Sequence, residues 1–435
     1  MNMDGERRIY ELLRSKGLEN IIVTGIKEDT RQLRFSNNLK DLTNYWKEEY
    51  AVVFSSLGKK VASTTIKSFN DLEKQIDRFV SLITSLPENE TFHGINSQKM
   101  DYSSIRDVSW EHPDIDSMAK EAIEGALSAG AQRATGLVYS RSWDVSLVTD
   151  YNSCSYSMGD VELVVRAFTG DFTGQESLHA GPDSINKMNP HDAGFEAGMT
   201  SREMPRVGKP RPSRYTVLMS PYLLGNILSY CSMYFSQYQI DSHLSPLESR
   251  LDTEVSHKSF TLMDNPLDYG GAGAVPVDDE GTPTRKNTLI DHGVVKTILQ
   301  SYSTAKMHGT ETTGNAGVIS PKTWQLEVLP GTRKFKDMIS EIKDGLFINN
   351  AWYTRFQDYR NGVFSTVPRD GVFHIKDGGI DESWSGIRIS DSFLNILSNI
   401  KDISSERKRV KWWEEISPSY LPYVLVDNVE ISMTS

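Results

Sequence analysis

The order helix, antiparallel strands, helix is written twice in the first 204 residues, and this repeat limits the chain to folds built from two similar units. A first helix is expected from Asp4 to Lys16, with Asp4 as N-cap, Ile9, Leu12 and Leu13 in one apolar stripe, and Gly17 as its stop. Strands follow over Ile21–Gly25, Gln32–Phe35 and Leu42–Tyr45, then a hairpin of Ala51–Ser56 and Val61–Ile66 about Gly58. Leu72, Ile76, Phe79, Val80 and Ile83 stand at helical spacing between Asp71 and Thr84. After a polar, proline-containing segment the order returns. Ile115–Ala129 reads as a helix with Met118, Ala122, Ile123, Ala126 and Leu127 inward, and Gly130 stops it. Strands over Gly136–Ser142, Trp143–Thr149 and Val161–Phe168 come next, and a helix near Ala193–Met204 closes the unit. The duplication lies in the pattern, not in residue identity.

The expected fold class is therefore α+β: two related helix and antiparallel-strand subdomains, followed by a mainly antiparallel β C-terminal domain with a few helices. The domain bounds are 1–86, a linker 87–113, 114–204, a proline-rich linker 205–213 carrying Pro205, Gly208, Pro210 and Pro212, and 214–435. In the last of these, helices are expected only over Leu223–Gln237, Lys336–Lys343 and Ser390–Ile400; the rest is short strand and turn, as in a sandwich or barrel-like sheet.

At 435 residues and 38% apolar content the chain can bury a sizeable core. It has no run of about 18 apolar residues, and MNMDGERRIY is not a basic segment leading into an apolar one. A soluble, cytoplasmic protein without membrane contact is expected. Cys154 and Cys231 are too few and too far apart in sequence for a disulfide framework or a zinc knuckle, and read as reduced thiols. A net charge of −11 argues against gripping nucleic acid, which needs clustered cations. The most basic run, Glu406–Trp413, reads as a solvated helix end or loop.

The most diagnostic stretch is Val277–Gly317. A polar loop from Asp278 to Pro283 leads to a strand with Leu289 and Ile290, a turn at Asp291-His292-Gly293, and a return strand with Val295, Ile298 and Leu299. The hairpin delivers the small-residue loop Thr313-Gly314-Asn315-Ala316-Gly317, whose main chain can hold an extended peptide.

Asp279-Glu280-Gly281, Leu289-Ile290 with Gly293, Ser303-x-Ala305 and Thr313-Gly314-Asn315 stand in an order that resembles the C-terminal domain of the TldD/PmbA family, historically labelled modulators of DNA gyrase. Pro330-Gly331, Asp344-Gly345-Leu346, Gly362-Val363-Phe364-Ser365 and Arg34-Phe35-Ser36-Asn37 extend the resemblance over nearly the whole chain. In TldD-type members the helix after the first strand of this domain carries His-Glu-x-x-x-His, two metal-binding imidazoles and a base, with a further ligand from a distant cysteine. Here Asn226, Ile227 and Cys231 stand at those positions, and no cysteine follows Phe364. A neutral amide is a poor zinc ligand and isoleucine cannot move a proton.

The resemblance thus implies the PmbA/TldE-like branch: a subunit without a metal of its own, zinc being expected only in a TldD-like metalloprotease partner. It implies peptide processing, pairing through C-terminal domains, a homodimer when alone, and Thr313, Gly314, Asn315, Ala316 and Gly317 as candidates for the wall of a peptide cavity. Two alternatives stay open: a metallopeptidase with an atypical site, or a non-enzymatic peptide-binding scaffold.

Other candidates have plainer readings. Asp241-Ser242-His243 and His257, with Asp252 and Glu254, carry the donors for a substitute metal site, though in a polar stretch they suit a solvated loop. His191-Asp192 is expected to open a helix with Asp192 as N-cap. Cys231 on an apolar helix reads as a buried structural thiol rather than a nucleophile. Asp278, Asp279 and Glu280 are expected in a solvent-facing turn or against Arg285 and Lys286, and Gly270-Gly271-Ala272-Gly273 in a flexible connection.

Overall fold

Two long ribbons stand where short strands were expected near the N-terminus. In the computed structural model, which describes residues 3–202 and 207–434, β1 (Glu19–Ser36) pairs antiparallel with β2 (Leu39–Leu57) along nearly its whole length. Asn37 and Asn38 turn the chain with φ of 50° and 68°, which asparagine tolerates better than most residues. The polar residues between the expected segments stay in the ribbon because the first half of β2 is largely exposed, so no core demands apolar side chains there. Gly58, at φ +58°, returns the chain into β3 (Lys60–Ile66). Around these strands lie α1 (Asp4–Ser15) and α2 (Leu72–Ser85). Asp4 does not cap α1; Met3 occupies that position, and Asp4 lies in the first turn, where its charge favours the helix dipole.

The second unit repeats the order with α3 (Ile115–Ser128), β4 (Arg133–Thr149), β5 (Ser153–Thr169), β6 (Phe172–Ala180) and α4 (Pro190–Arg202). The two strands expected on either side of Ser142 are one, because β4 stays paired with β1 and β5 across that position. Asp114 caps α3, accepting from the amides of Asp116 and Ser117. At α4 the expected cap is corrected: Asn189 accepts from the amide of Asp192 at 3.1 Å, and Asp192 lies inside the first turn. The expected helix end at Met204 and Pro205 of the linker lie outside the described residues.

All six strands form one antiparallel sheet, ordered β3-β2-β1-β4-β5-β6 and joined between the units by β1 and β4, from Ile22↔Thr149 to Phe35↔Gly136. Alternation on β1 places Val23, Leu33 and Phe35 on one face, against α1 and α2 at one end and α3 and α4 at the other. Helices α3 and α4 cross so closely that a Cβ on Gly125 would overlap the His191 carbonyl, and one on Gly194 the carbonyl of Ala122. On the opposite face Ile22, Leu147 and Cys154 pack with Val277 from the C-terminal half.

That half runs β7 (Ser213–Met219), α5 (Pro221–Cys231), α6 (Gln237–Asp241), β8 (Leu262–Asp264), β9 (Asn287–Asp291), β10 (Val294–Val295), α7 (Tyr302–His308), β11 (Leu326–Val328), α8 (Phe335–Ser340), β12 (Asp344–Ile348), β13 (Ala351–Asp358), β14 (Val363–Pro368), β15 (Val372–Lys376), β16 (Gly379–Ser383), β17 (Ile387–Ser392), α9 (Phe393–Ser398), β18 (Ile400–Val410) and β19 (Ser419–Met433). Most pairings in its thirteen-stranded sheet are antiparallel. β19 is the hub, pairing with β7, β17 and β18 antiparallel and with β11 parallel. Every residue of α5 except Tyr230 is buried, as befits a helix apolar nearly all round. No helix among the described residues is long and apolar enough to cross a membrane.

Three local expectations are corrected. The helix expected over Leu223–Gln237 breaks after Cys231, because Leu299 donates to the Phe235 carbonyl at 2.7 Å and accepts from the Gln237 amide at 3.0 Å, drawing that segment into a β-bridge. The same diversion ends the return strand of the hairpin at Val295. The basic run through residue 410 belongs to strand β18 rather than to a solvated end: Arg407 pairs with Glu327 at 2.9 Å, Lys408 with Glu176 at 2.9 Å and Arg409 with Asp268 at 2.7 Å. Finally, Gly270–Gly273 is fastened at both sides. The Gly270 carbonyl accepts from Gly181 at 3.0 Å, Ala272 donates to His179 Nδ1 at 3.1 Å, and a Cβ on Gly271 would overlap the Gln325 side chain.

Candidate functional site

Helix α5 begins with Ser220, whose hydroxyl accepts from the amides of Tyr222 and Leu223, and Pro221 fits its first turn. It then runs through the middle of the C-terminal core. Asn226 is fully enclosed; its Oδ1 accepts from the Thr354 hydroxyl, and its Nδ2 has no partner among the described residues. Ile227 is one of the aliphatic side chains of that core, and Cys231 lies there too, its thiol pushed well above the usual range by burial. Glu415 packs against Gly225, where a Cβ would overlap Oε1. Neither Glu415 oxygen has a hydrogen bond among the described residues, and burial pushes this carboxyl well above its ordinary value. A protonated thiol, an amide already engaged and an isoleucine are a donor set that does not fit a transition metal. No group of three His, Cys, Asp or Glu among the described residues could hold one.

The Asp278–Gly317 stretch is the other candidate, and two of the three acids that open it are buried rather than solvent-facing, Asp279 being half-buried. Asp278 is 1% exposed and Glu280 7%. Asp278 Oδ1 accepts from the amides of Glu280 at 3.0 Å and Thr282 at 2.8 Å, and Oδ2 accepts from Ala316 at 3.0 Å. Asp279 holds the amide of Val318 at 3.0 Å and Lys322 Nζ at 3.2 Å. Glu280 Oε2 accepts from the amide of Tyr302 at 3.0 Å. Arg285 instead donates to the Thr312 carbonyl. The three acids therefore organise the glycine-bearing loop and the start of α7 by accepting backbone amides that would otherwise be orphaned.

Within that loop, Thr313 Oγ1 accepts from the amide of Gln300 at 2.9 Å. Gly314 sits at φ +74°, and its carbonyl accepts from Trp324 Nε1 at 3.1 Å. Asn315, fully buried, donates to Asp264 Oδ2 at 2.5 Å and to the Lys322 carbonyl at 2.9 Å, and accepts from Asn287 at 2.8 Å. Burial pushes Asp264 up to about 6 and Asp278 up to about 7. Glu280 is raised well above its ordinary value by burial and then by the Asp278 charge. Thr313, Gly314, Asn315 and Ala316 are thus inside the loop's own framework. Gly317 is the member of the five that borders open space.

That space is a cavity of about 310 Å³ between the halves of the protein. Its floor is Glu280 with Gly317, Val318 and the hydroxyl-bearing start of α7. Phe54, Val61 and Phe92 wall it from the N-terminal side, and Tyr238 and Ile319 from the C-terminal side. Residues 87–113 fasten the two sides together. The His93 amide donates to Ser303 Oγ at 2.5 Å, Asn96 to Thr282 Oγ1 at 2.8 Å, and Tyr102 Oη to the Gly281 carbonyl at 2.6 Å. Sequence reasoning missed Glu280 as a cavity group; the glycine after it, at φ +84°, is the signal that the acids sit in a tight turn. Phe54 and Phe92 lie some two hundred residues away in sequence, and nothing in their own neighbourhood announces the contact.

The remaining candidates do not converge. His243 pairs with Glu248 at 3.0 Å, while His257 Nδ1 contacts Ser259 Oγ at 2.7 Å. Asp252 pairs with Lys296 at 2.8 Å and Asp241 with His308 at 2.9 Å. Both cysteines are buried and free.

Comparison with known proteins agrees with this architecture. A structure described as TldE from Thermococcus kodakarensis superposes with a TM-score of 0.82 at 16% identity, covering 98% of both chains. One described as a modulator of a DNA gyrase from Thermotoga maritima gives 0.81 at 20% identity, covering 99% of both. A curated relative named metalloprotease, from Methanothermobacter thermautotrophicus, is 23% identical over 260 residues, so the match spans 57% of this chain and 56% of that protein. The family model for the PmbA/TldA metallopeptidase C-terminal domain matches residues 212–433, just over half of the 435-residue chain. On that match, the chain belongs to the PmbA/TldD metallopeptidase family.

Proposed function

We propose that this chain is the PmbA/TldE-like, non-catalytic subunit of a TldD/TldE-type metalloprotease complex that processes peptides in the cytoplasm. The observation that carries this reading is the filling of α5. Asn226, Ile227 and Cys231 are enclosed in the core, and a neutral amide, an alkyl group and a protonated thiol supply neither a ligand set nor a general base. The chain then contributes surface: a wall for the peptide and a face for a TldD-like partner that brings its own zinc. Purified alone it forms a homodimer standing in for the heterodimer.

The test is reconstitution. The chain alone is expected to hold less than stoichiometric zinc, iron or manganese and to show no chelator-sensitive peptide hydrolysis. Mixed with a TldD-like chain bearing His-Glu-x-x-x-His, it is expected to raise hydrolysis above that of the partner alone. Two results overturn the reading. One is about one tightly held metal per chain that is lost on His243→Ala or His257→Ala. The other is a partner fully active without this protein.

A further inference from the structure

The cavity between the two halves has a polarity that its role as a generic wall does not explain. One of its lining groups is a carboxylic acid 7% exposed, and the walls above it mix the apolar Phe54, Val61 and Phe92 with the polar Asn89, Thr91 and Ser303. Of the acids in the Asp279-Glu280-Gly281 turn, Asp279 is neutralised by Lys322, whereas no lysine or arginine is among the charges acting on Glu280. Its Oε2 is occupied by the Tyr302 amide, and its Oε1 makes no hydrogen bond among the described residues. That oxygen is not one of the solvent-excluded unpartnered atoms, so it stands open to a donor entering the cavity. One oxygen suits a compact ammonium. A guanidinium wants two parallel acceptors and finds one here already taken.

We propose that this cavity binds the amino-terminal residue of a peptide, with the α-ammonium on Glu280 Oε1 and a non-polar side chain against Phe54, Phe92, Val61 and Ile319. The inference deepens the peptide-processing reading above and rests on it for the nature of the ligand. A bare divalent metal ion finds only one free carboxyl oxygen here, fewer than the several oxygen ligands such ions take. Because the cavity lies within one chain, binding needs no partner subunit. A failure here is therefore distinguishable from a failure of the reconstitution.

The experiment is isothermal titration of the full chain with leucinamide, and with N-acetyl-leucinamide as the same molecule without its charge. Leucinamide is expected to bind, the acetylated form at least tenfold more weakly. Glu280→Gln keeps an acceptor for the Tyr302 amide while removing the carboxyl that gives up its proton to pair with the ammonium, and is expected to weaken leucinamide at least tenfold and leave the acetylated form unchanged. Ser63→Trp, from an exposed position of β3 that lines the cavity, tests occupancy independently and is expected to abolish binding without loss of fold, checked by circular dichroism. Equal binding of the two compounds, unchanged affinity in Ser63→Trp, or no heat with leucinamide at millimolar concentration overturns the proposal.

Discussion

Replacing Lys408 by methionine isolates the electrostatics that hold the two halves together. Lys408 reaches from β18 to Glu176 on β6 at 2.9 Å, and Glu176, 4% exposed, also takes the Tyr222 hydroxyl. Burial pushes the Glu176 carboxyl up more than Lys408 pulls it down; burial likewise works against the ammonium, and Glu176, Tyr222, Tyr423 and Glu196 together outweigh it. Methionine keeps most of the stem's volume and removes the charge, leaving Glu176 with two options in the native state. Staying ionised without a partner costs about 3–5 kcal/mol. Taking up a proton at pH 7 costs about 3.7 kcal/mol, from 1.36 kcal/mol per unit between an unfolded value near 4.3 and pH 7. Glu176 adopts the cheaper state, and since its carboxyl is already raised with Lys408 in place, the expected loss is at most about 3–4 kcal/mol at pH 7 in urea denaturation of the full chain.

The sign of the pH dependence is fixed by linkage. A carboxyl whose folded pKa is raised binds more protons in the native state, so the penalty shrinks by about 1.4 kcal/mol per unit as pH falls, to about 1 kcal/mol at pH 5. Glu176→Gln combined with Lys408→Met is expected to recover most of the loss, because no buried uncompensated charge remains; Glu196, the other carboxylate on Lys408, is half-exposed. A loss below 1 kcal/mol at pH 7, the same loss at pH 5, or a double variant no better than the single one would refute this reasoning.

Other outcomes follow from the buried turn and from α5. Gly314→Val forces a β-branched residue to φ +74° with its Cβ 2.9 Å from the Pro283 carbonyl, so a loss of about 2–4 kcal/mol is expected in urea denaturation; an unchanged midpoint contradicts the described backbone. Asn226→His, Ile227→Glu and Cys231→His together are expected to give no chelator-sensitive hydrolysis and a lower melting temperature, since ionisable groups enter an apolar core; robust cleavage by this variant shows that the lost residues were the only deficit. Asp264 at about 6, Asp278 at about 7, and Glu176, Glu280 and Glu415, all raised, make the native state the better proton binder, so the melting temperature is expected to fall from pH 5 to pH 8. A rise over that window shows that these acids are ionised in the folded protein.

The fold was legible where a local rule governs a residue. Gly17, Gly58 and Gly130 stand where backbone takes positive φ, and the stripe through Leu72, Ile76, Phe79 and Ile83 lies on the buried face of α2. What stayed hidden is decided between distant segments. The length of β1 and β2 comes from continuous pairing, which polar residues such as Glu28 and Asp29 satisfy as well as apolar ones. The break after α5 comes from Leu299 capturing the chain at Phe235 and Gln237. A signal for α7 was present, Ser301 with Thr304 as a capping box and Gly309 at φ +65°, but it lay inside a run read for its hairpin. At the candidate site, the apolar character of α5 was readable, and Ile227 and Cys231 lie in the core as such a helix requires. The burial of Asp278 and Glu280 was not, since three acids in a row look solvated until the amides they accept are known.

The seam between β1 and β4 places the duplicated units in a definite symmetry. Strands β1 and β4 run antiparallel in continuous register, with Glu28 opposite Trp143 at its middle, and the outward order of strands is the same on either side. All four helices lie on one face. The order of elements on either side of that midpoint is the one a two-fold axis perpendicular to the sheet would give, so the N-terminal half has the topology of a homodimer written in one polypeptide. Fusion makes the association unimolecular and frees the two copies to diverge: one edge keeps β3 and the cavity wall at Phe54 and Val61, and the other keeps β6 with Glu176 and His179 against the C-terminal domain. A chain ending after α2 would expose β1 as an open edge, and the partner best matched to that edge is a second copy of itself.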